Sequence, residues 1–133
     1  VYYFAYATNL DKKQMKERCP MARPVSMVTL HHYRLVFRGW SRRWRGGLAT
    51  IQPFRGEKVP GAIYELSEED MKRLDKHEDC PASCSRIRVG VNNDFGELIE
   101  AETYVGVGRA EEAKPSKEYL AVIQQGYRDW GIV

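Results

Sequence analysis

The sequence predicts an α+β fold, mostly β with two or three short helices. Three observations point there. Segments rich in Val, Ile, Tyr and Phe are bounded by turn residues, as at 86–91 and 98–107. Two short segments carry helix start and stop signals, and the C-terminal stretch repeats apolar residues at helical spacing. With 133 residues and 43% hydrophobic content, the chain has the length of one ordinary domain with one core, so residues 1–133 are expected to form a single domain.

The elements follow in order. Residues 2–6 are an aromatic run that gives way to Thr8 and Asn9, which predicts a strand running into a loop. Asp11 stands where an N-cap belongs, residues 12–18 are good helix formers with basic residues late, and Pro20 stops them. The start of that helix leaves backbone N–H groups unpaired beside the loop, and such groups bind a carboxylate or phosphate. Residues 25–37 predict one long or two short strands, and residues 38–47 an exposed loop. Residues 48–52 and 59–66 then read as a hairpin around Pro53, Arg55, Gly56 and Glu57. Ser67 caps a second helix whose first turn holds Glu68, Glu69 and Asp70, and which ends near Asp79 ahead of Pro81. Residues 86–91 and 98–107 pair across Asn92-Asn93-Asp94-Phe95-Gly96. The last helix begins near Ser116, carries Tyr119, Val122, Ile123, Tyr127 and Trp130 on helical spacing, lies against the sheet as core and stops at Gly131.

Composition narrows the function classes. No stretch approaches the ~20 apolar residues that span a bilayer, and Val1-Tyr2-Tyr3-Phe4-Ala5 lacks the basic lead and apolar length of a signal peptide. A cytoplasmic protein with no membrane partner is expected. Cys19, Cys80 and Cys84 cannot all pair within one chain, so reduced thiols are the expectation. A net charge of +3 and a pI near 8.8 fall short of the concentrated charge of a nucleic-acid binder.

Four features carry candidate chemistry. Glu78 follows Met71 and Leu74 by seven and four positions, on one stripe of the second helix. Pointing inward in a last turn, where the helix dipole disfavours negative charge, it would have the raised pKa of a proton-transfer group. A frayed end beside Lys76 and Asp79 would leave it in water, and spacing does not separate the two. The loop Tyr6-Ala7-Thr8-Asn9-Leu10 lacks the glycines of a phosphate motif and by itself reads as a turn in which Asn9 bonds its own backbone. Residues 38–47 interleave four arginines with Trp40 and Trp44, a composition that serves single-stranded nucleic acid but more commonly a solvated rim for small anions. His77, Cys80 and Cys84 have zinc-ligand spacing without a fourth ligand and read as unconnected thiols and an exposed His, with no metal.

Taken together the segments resemble the γ-glutamylcyclotransferase family. Tyr3-Phe4-Ala5-Tyr6-Ala7-Thr8-Asn9-Leu10 resembles its N-terminal Tyr-Gly-Ser-Asn-Leu loop, with Ala7-Thr8 where the family usually has Gly-Ser. Trp44-x-Gly46-Gly47-x-Ala49-Thr50-Ile51 resembles a second signature. Val59-Pro60-Gly61-Ala62-Ile63-Tyr64-Glu65-Leu66 followed by Leu74-Asp75-Lys76-His77-Glu78 resembles the strand and helix that deliver a catalytic Glu, and Pro115-Ser116 to Tyr119 the closing helix. Cys84 stands where the family usually shows a Tyr.

The resemblance implies a small mixed β-barrel-like sheet with flanking short helices, and a reaction that turns a γ-glutamyl amino acid or γ-glutamyl amine into 5-oxoproline and free amine without cofactor or metal. It assigns the general acid/base role to Glu78, substrate binding to Tyr6, Ala7, Thr8, Asn9 and Leu10, and the leaving-amine side to Trp44 and Tyr104. Two other readings stand beside it: a binder of γ-glutamyl compounds without catalysis, and a nucleic-acid module built on residues 38–45. Monomer and homodimer are both open.

Overall fold

The computed structural model describes residues 1–80 and 82–133; Pro81, read above as lying past the second helix, is outside the described residues. Strand β1 (Tyr2–Ala5) leads through a single 3-10 turn (Thr8–Leu10) into helix α1 (Lys12–Arg18). Strands β2 (Arg23–Ser41) and β3 (Gly46–Glu65) follow, then helix α2 (Glu68–His77), strands β4 (Cys84–Asn92) and β5 (Leu98–Gly106), and helix α3 (Lys117–Trp130). The sheet closes into a five-stranded barrel in the order β1-β3-β2-β4-β5. Pairing is antiparallel except for the closing contact of β1 with β5, which is parallel at Tyr3 and Glu102. This is the mixed barrel that the resemblance implied.

The caps form as their chemistry dictates. Asp11 accepts from the N–H groups of Lys13 and Gln14, Ser67 from Asp70, and Ser116 from Tyr119, each satisfying a donor that the helix start would otherwise leave free. Gly131 ends α3 in the left-handed conformation at φ 68°.

Two expectations change. Residues 38–47 are not an exposed loop: β2 runs on to Ser41, the reversal occupies residues 42–45, and β3 begins at Gly46, both Gly46 and Gly47 being buried. Nor do residues 48–52 and 59–66 pair with each other. Both pair with β2, the first opposite 34–38 and the second opposite part of its N-terminal half, so that Tyr33 faces Pro53 while His31 faces Lys58. Residues 54–57 therefore bulge opposite His32, with His32 at φ 63° and Gly56 at φ 90°, and the Gly56 N–H donates to His32 Nδ1 at 3.1 Å. The turn-forming residues supply a bend in one long ribbon instead of a reversal, because the segments on both sides share a partner strand.

The thiols also differ from expectation. Cys80 and Cys84 meet as a disulfide pair with Cα atoms 4.8 Å apart, while Cys19 is free and buried.

Alternation along β1 separates two cores. Phe4 points into the barrel with Val28, Leu30, Ile63 and Val91, while Tyr3 and Ala5 face outward against Leu10, Met15, Met71 and Leu74 from the helical side. The outer core fixes the turn at residues 8–10. There α3 comes so close that a Cβ on Gly126 would lie 2.5 Å from Leu10 Cβ and 2.7 Å from the Asp11 nitrogen. Trp130 Nε1 donates to the Leu10 carbonyl at 2.9 Å, and Asp129 accepts from the Lys12 N–H at 3.0 Å. No helix among the described residues is long and apolar enough to cross a membrane.

Candidate active site

Met71 and Leu74 are fully buried and hold one face of α2 against the outer core, and Glu78, one turn further on as the C-cap, inherits that direction. Its N–H donates to the Leu74 carbonyl at 2.8 Å, so the helix does not fray before the carboxylate. The side chain turns toward the loop after β1. There Glu78 Oε1 accepts from Asn9 Nδ2 at 3.1 Å and lies 3.6 Å from Arg18 Nη1. Burial pushes the Glu78 pKa up from the ordinary carboxylate range, opposed by the Arg18 charge and the Asn9 hydrogen bond. The side chain nonetheless keeps 32% of its surface accessible, which makes it a group walled on several sides and open on another.

Asn9 is the hub of the arrangement and is itself buried. Its amide nitrogen donates to Glu78 and to the Tyr3 hydroxyl at 2.9 Å, while its oxygen accepts from Gln14 Nε2 at 3.2 Å and Arg18 Nη1 at 3.0 Å. All the hydrogen-bonding positions of the amide are filled. Asn9 thus bonds to side chains from β1, α1 and the end of α2, and not to its own backbone as its sequence context led one to expect, because these four partners fill the amide.

Two cavities flank the carboxylate. One, narrow at about 40 Å³, is lined by Tyr3, Tyr6, Ala7, Thr8, Asn9 and Glu78, with Ala49, Tyr104 and Tyr119 completing its wall. The other, about 290 Å³, shares Tyr6, Ala49, Glu78 and Tyr104 and extends over Arg38, Trp40, Leu48 and Val107. The phenols around them stay protonated at neutral pH. Burial, with the nearby Glu78 charge, drives the Tyr3 and Tyr6 hydroxyls well up, and burial pushes Tyr119 up to about 12. Tyr6 donates to the Tyr104 carbonyl at 2.6 Å, and the Tyr119 hydroxyl accepts from the Ala49 N–H at 2.9 Å. With the phenols held protonated and its own pKa raised, Glu78 is the carboxylate of this wall suited to proton exchange.

Of the residues singled out from the sequence, Tyr6, Ala7, Thr8, Asn9, Glu78 and Tyr104 come together here. Leu10 does not: its side chain is buried in the outer core, and its role is to anchor the loop. Trp44 lies outside both cavities and packs against Tyr119, the rings tilted by 57° with centroids 5.2 Å apart. The Tyr104 hydroxyl is engaged by Asp75, donating to its Oδ1 at 2.7 Å, where Arg86 also binds Asp75 at 2.8 Å. Against desolvation, those two hydrogen bonds hold Asp75 below its ordinary value.

Sequence reasoning missed Arg18, Tyr3, Ala49 and Tyr119. Arg18 showed only as a basic residue in the last turn of a helix, while Tyr3, Ala49 and Tyr119 lay within the segments that carry the family resemblance but received no site role. The arginine-rich stretch is also distributed: Arg38 lines the larger cavity, Arg43 lies over Trp44, and Arg42 and Arg45 are exposed at the reversal.

The geometry can be set beside known proteins. The family described as Gamma-glutamyl cyclotransferase, AIG2-like matches residues 3–128. The chain is 30% identical to the mouse protein named Gamma-glutamylcyclotransferase over 98% of its own length and 71% of that protein, and 29% identical to the human protein of the same name over the same shares. A solved structure titled Gamma-glutamyl cyclotransferase superposes with a TM-score of 0.94 at 28% identity, covering 98% of this chain and 80% of that one. YkqA from Bacillus subtilis shares the fold, with a TM-score of 0.81 at 22% identity over 98% of this chain and 49% of that one.

Proposed function

The chain belongs to the gamma-glutamyl cyclotransferase, AIG2-like family of enzymes, and on that premise we propose that it converts a γ-glutamyl amino acid or γ-glutamyl amine to 5-oxoproline and free amine, with Glu78 as general acid/base. The observation that carries this reading is a carboxylate with a raised pKa, held by Asn9 and Arg18 at the junction of two cavities.

In the proposed reaction the substrate's α-ammonium gives a proton to Glu78, and the freed amine attacks the γ-carbonyl carbon of the same molecule. A five-membered ring closes as the new C–N bond forms. The original amide C–N bond then breaks as Glu78 returns that proton to the departing nitrogen, and the second proton shed by the ring nitrogen passes through the same carboxylate to the released amine, which leaves as an ammonium. Because nucleophile and electrophile are in one molecule, the enzyme's main task is to hold the chain folded with the reacting atoms in near contact. The narrow cavity suits the glutamyl end. Its wall includes the 3-10 turn, whose first N–H groups have no partner inside the turn and suit the substrate's carboxylate. The larger cavity suits the leaving amine. Asn9 is a positioning residue on this reading, since its amide is filled by protein partners.

The test is 5-oxoproline release from a panel of γ-glutamyl amino acids and γ-glutamyl amines by the parent and by Glu78→Gln. Release by the parent with a loss on the order of 10²- to 10⁴-fold in the variant is expected for a proton-transfer group. Full turnover by Glu78→Gln would remove the role from Glu78.

A further inference from the structure

The larger cavity holds a cation that the reaction proposed above does not use. Arg38 lines it from β2, on a wall shared with Glu78, and its Nε is buried without a hydrogen-bond partner. Among the described residues no carboxylate lies within ion-pair distance of Arg38. Glu111 and Glu112 run beside it, but their contacts there are backbone ones: the Gly39 N–H donates to the Glu111 carbonyl at 2.9 Å, and Arg38 and Glu112 form an isolated bridge. Glu78, the other charge on the cavity, is engaged by Asn9 and Arg18.

A guanidinium nitrogen buried without a partner is costly to keep, and the planar fork to which it belongs fits a carboxylate better than other ligand groups. The same cavity opens past Trp40, 69% exposed, Leu48, 41%, and Val107, 45%. Three large apolar side chains left in solvent around one mouth offer surface to an apolar ligand group.

Resting on the proposed reaction, we propose that Arg38 reads a carboxylate on the leaving amine. The preferred substrates are then γ-glutamyl conjugates of α-amino acids with a large apolar side chain. In such a conjugate the amide nitrogen and the carboxylate are attached to one carbon, so a leaving nitrogen delivered to Glu78 brings its carboxylate into the cavity that Arg38 lines. The side chain extends over Trp40 and Leu48.

The test compares γ-glutamyl-leucine with γ-glutamyl-isopentylamine, which has the same side chain and a hydrogen in place of the carboxylate, for the parent, Arg38→Met and Arg38→Lys. The parent is expected to favour the acid by roughly 10- to 100-fold in kcat/KM, the worth of one hydrogen bond to a charged group. Arg38→Met should bring that ratio to near one through KM for the acid, and Arg38→Lys should restore part of it. A parent that treats both compounds alike, or an Arg38→Met variant that weakens both equally, overturns the assignment. If the parent releases 5-oxoproline from neither compound, the proposed reaction falls on its own, and calorimetric binding of the same pair decides about Arg38. An acid preference lost in Arg38→Met supports the role; equal binding, or none, removes it.

Discussion

Glu78 is made unusual by opposing effects: burial raises its pKa, while Arg18 and Asn9 lower it, and burial prevails. Under the proposed mechanism the carboxylate form starts the reaction, so kcat/KM should fall as pH drops through a pKa above 4.5. Arg18→Met removes the cation and should move that acid limb to higher pH, read from a pH–rate profile; an unmoved limb would mean that another group titrates. The same shift predicts a stability effect. A carboxyl group whose pKa is higher folded than unfolded adds stability below the unfolded value, and that contribution is lost as pH rises through the folded one. Glu78→Gln should therefore unfold at an equal or higher urea concentration than the parent at pH 7, with the difference shrinking below pH 4.5. Glu78 was legible as a candidate because Met71 and Leu74 set a stripe that its spacing continues, but the spacing left a frayed, solvated end equally open, and the Glu78 N–H bond to the Leu74 carbonyl decides between them. Arg18 and Tyr3 were not legible, since their meaning depends on Asn9 reaching from one to the other, a contact that periodicity does not encode.

Helices were legible nearly to the residue because their signals are local: Asp11, Ser67 and Ser116 cap where their side chains reach the next turn's N–H groups. The long strands were less legible. Turn residues at 53–57 announce a departure from extended chain, but whether it becomes a reversal or a bulge depends on a partner strand that local sequence does not name. The contact between α3 and the 3-10 turn is likewise invisible until Gly126 is seen against Leu10. Gly126→Ala gains helix propensity but brings a methyl group into backbone and side-chain atoms. It should cost about 1–3 kcal/mol in urea unfolding. Because the displaced turn contains Asn9, turnover should fall with it; a variant with parent stability would show that the helix can back away freely.

Closure of the barrel was not legible from pattern, and only the family resemblance supplied it. The reason is that β1 seats between β3 at 62–65 and β5 at Glu102, contacts that join the chain's start to segments far along it. A fold dominated by such pairings pays loop entropy before it gains contacts. It should refold in roughly milliseconds to seconds in stopped-flow experiments, slower than a helical protein of its size. The bend at His32 divides the β2–β3 ribbon into two arms, and the division has an evolutionary meaning. Proton-handling residues come from β1, α1 and α2, while Arg38, Trp40 and Leu48 belong to the arm beyond the bend. Mutational drift in that arm can exchange one departing group for another while the acid–base apparatus is inherited intact, so descendants of such a scaffold would diverge in diet before they diverge in chemistry.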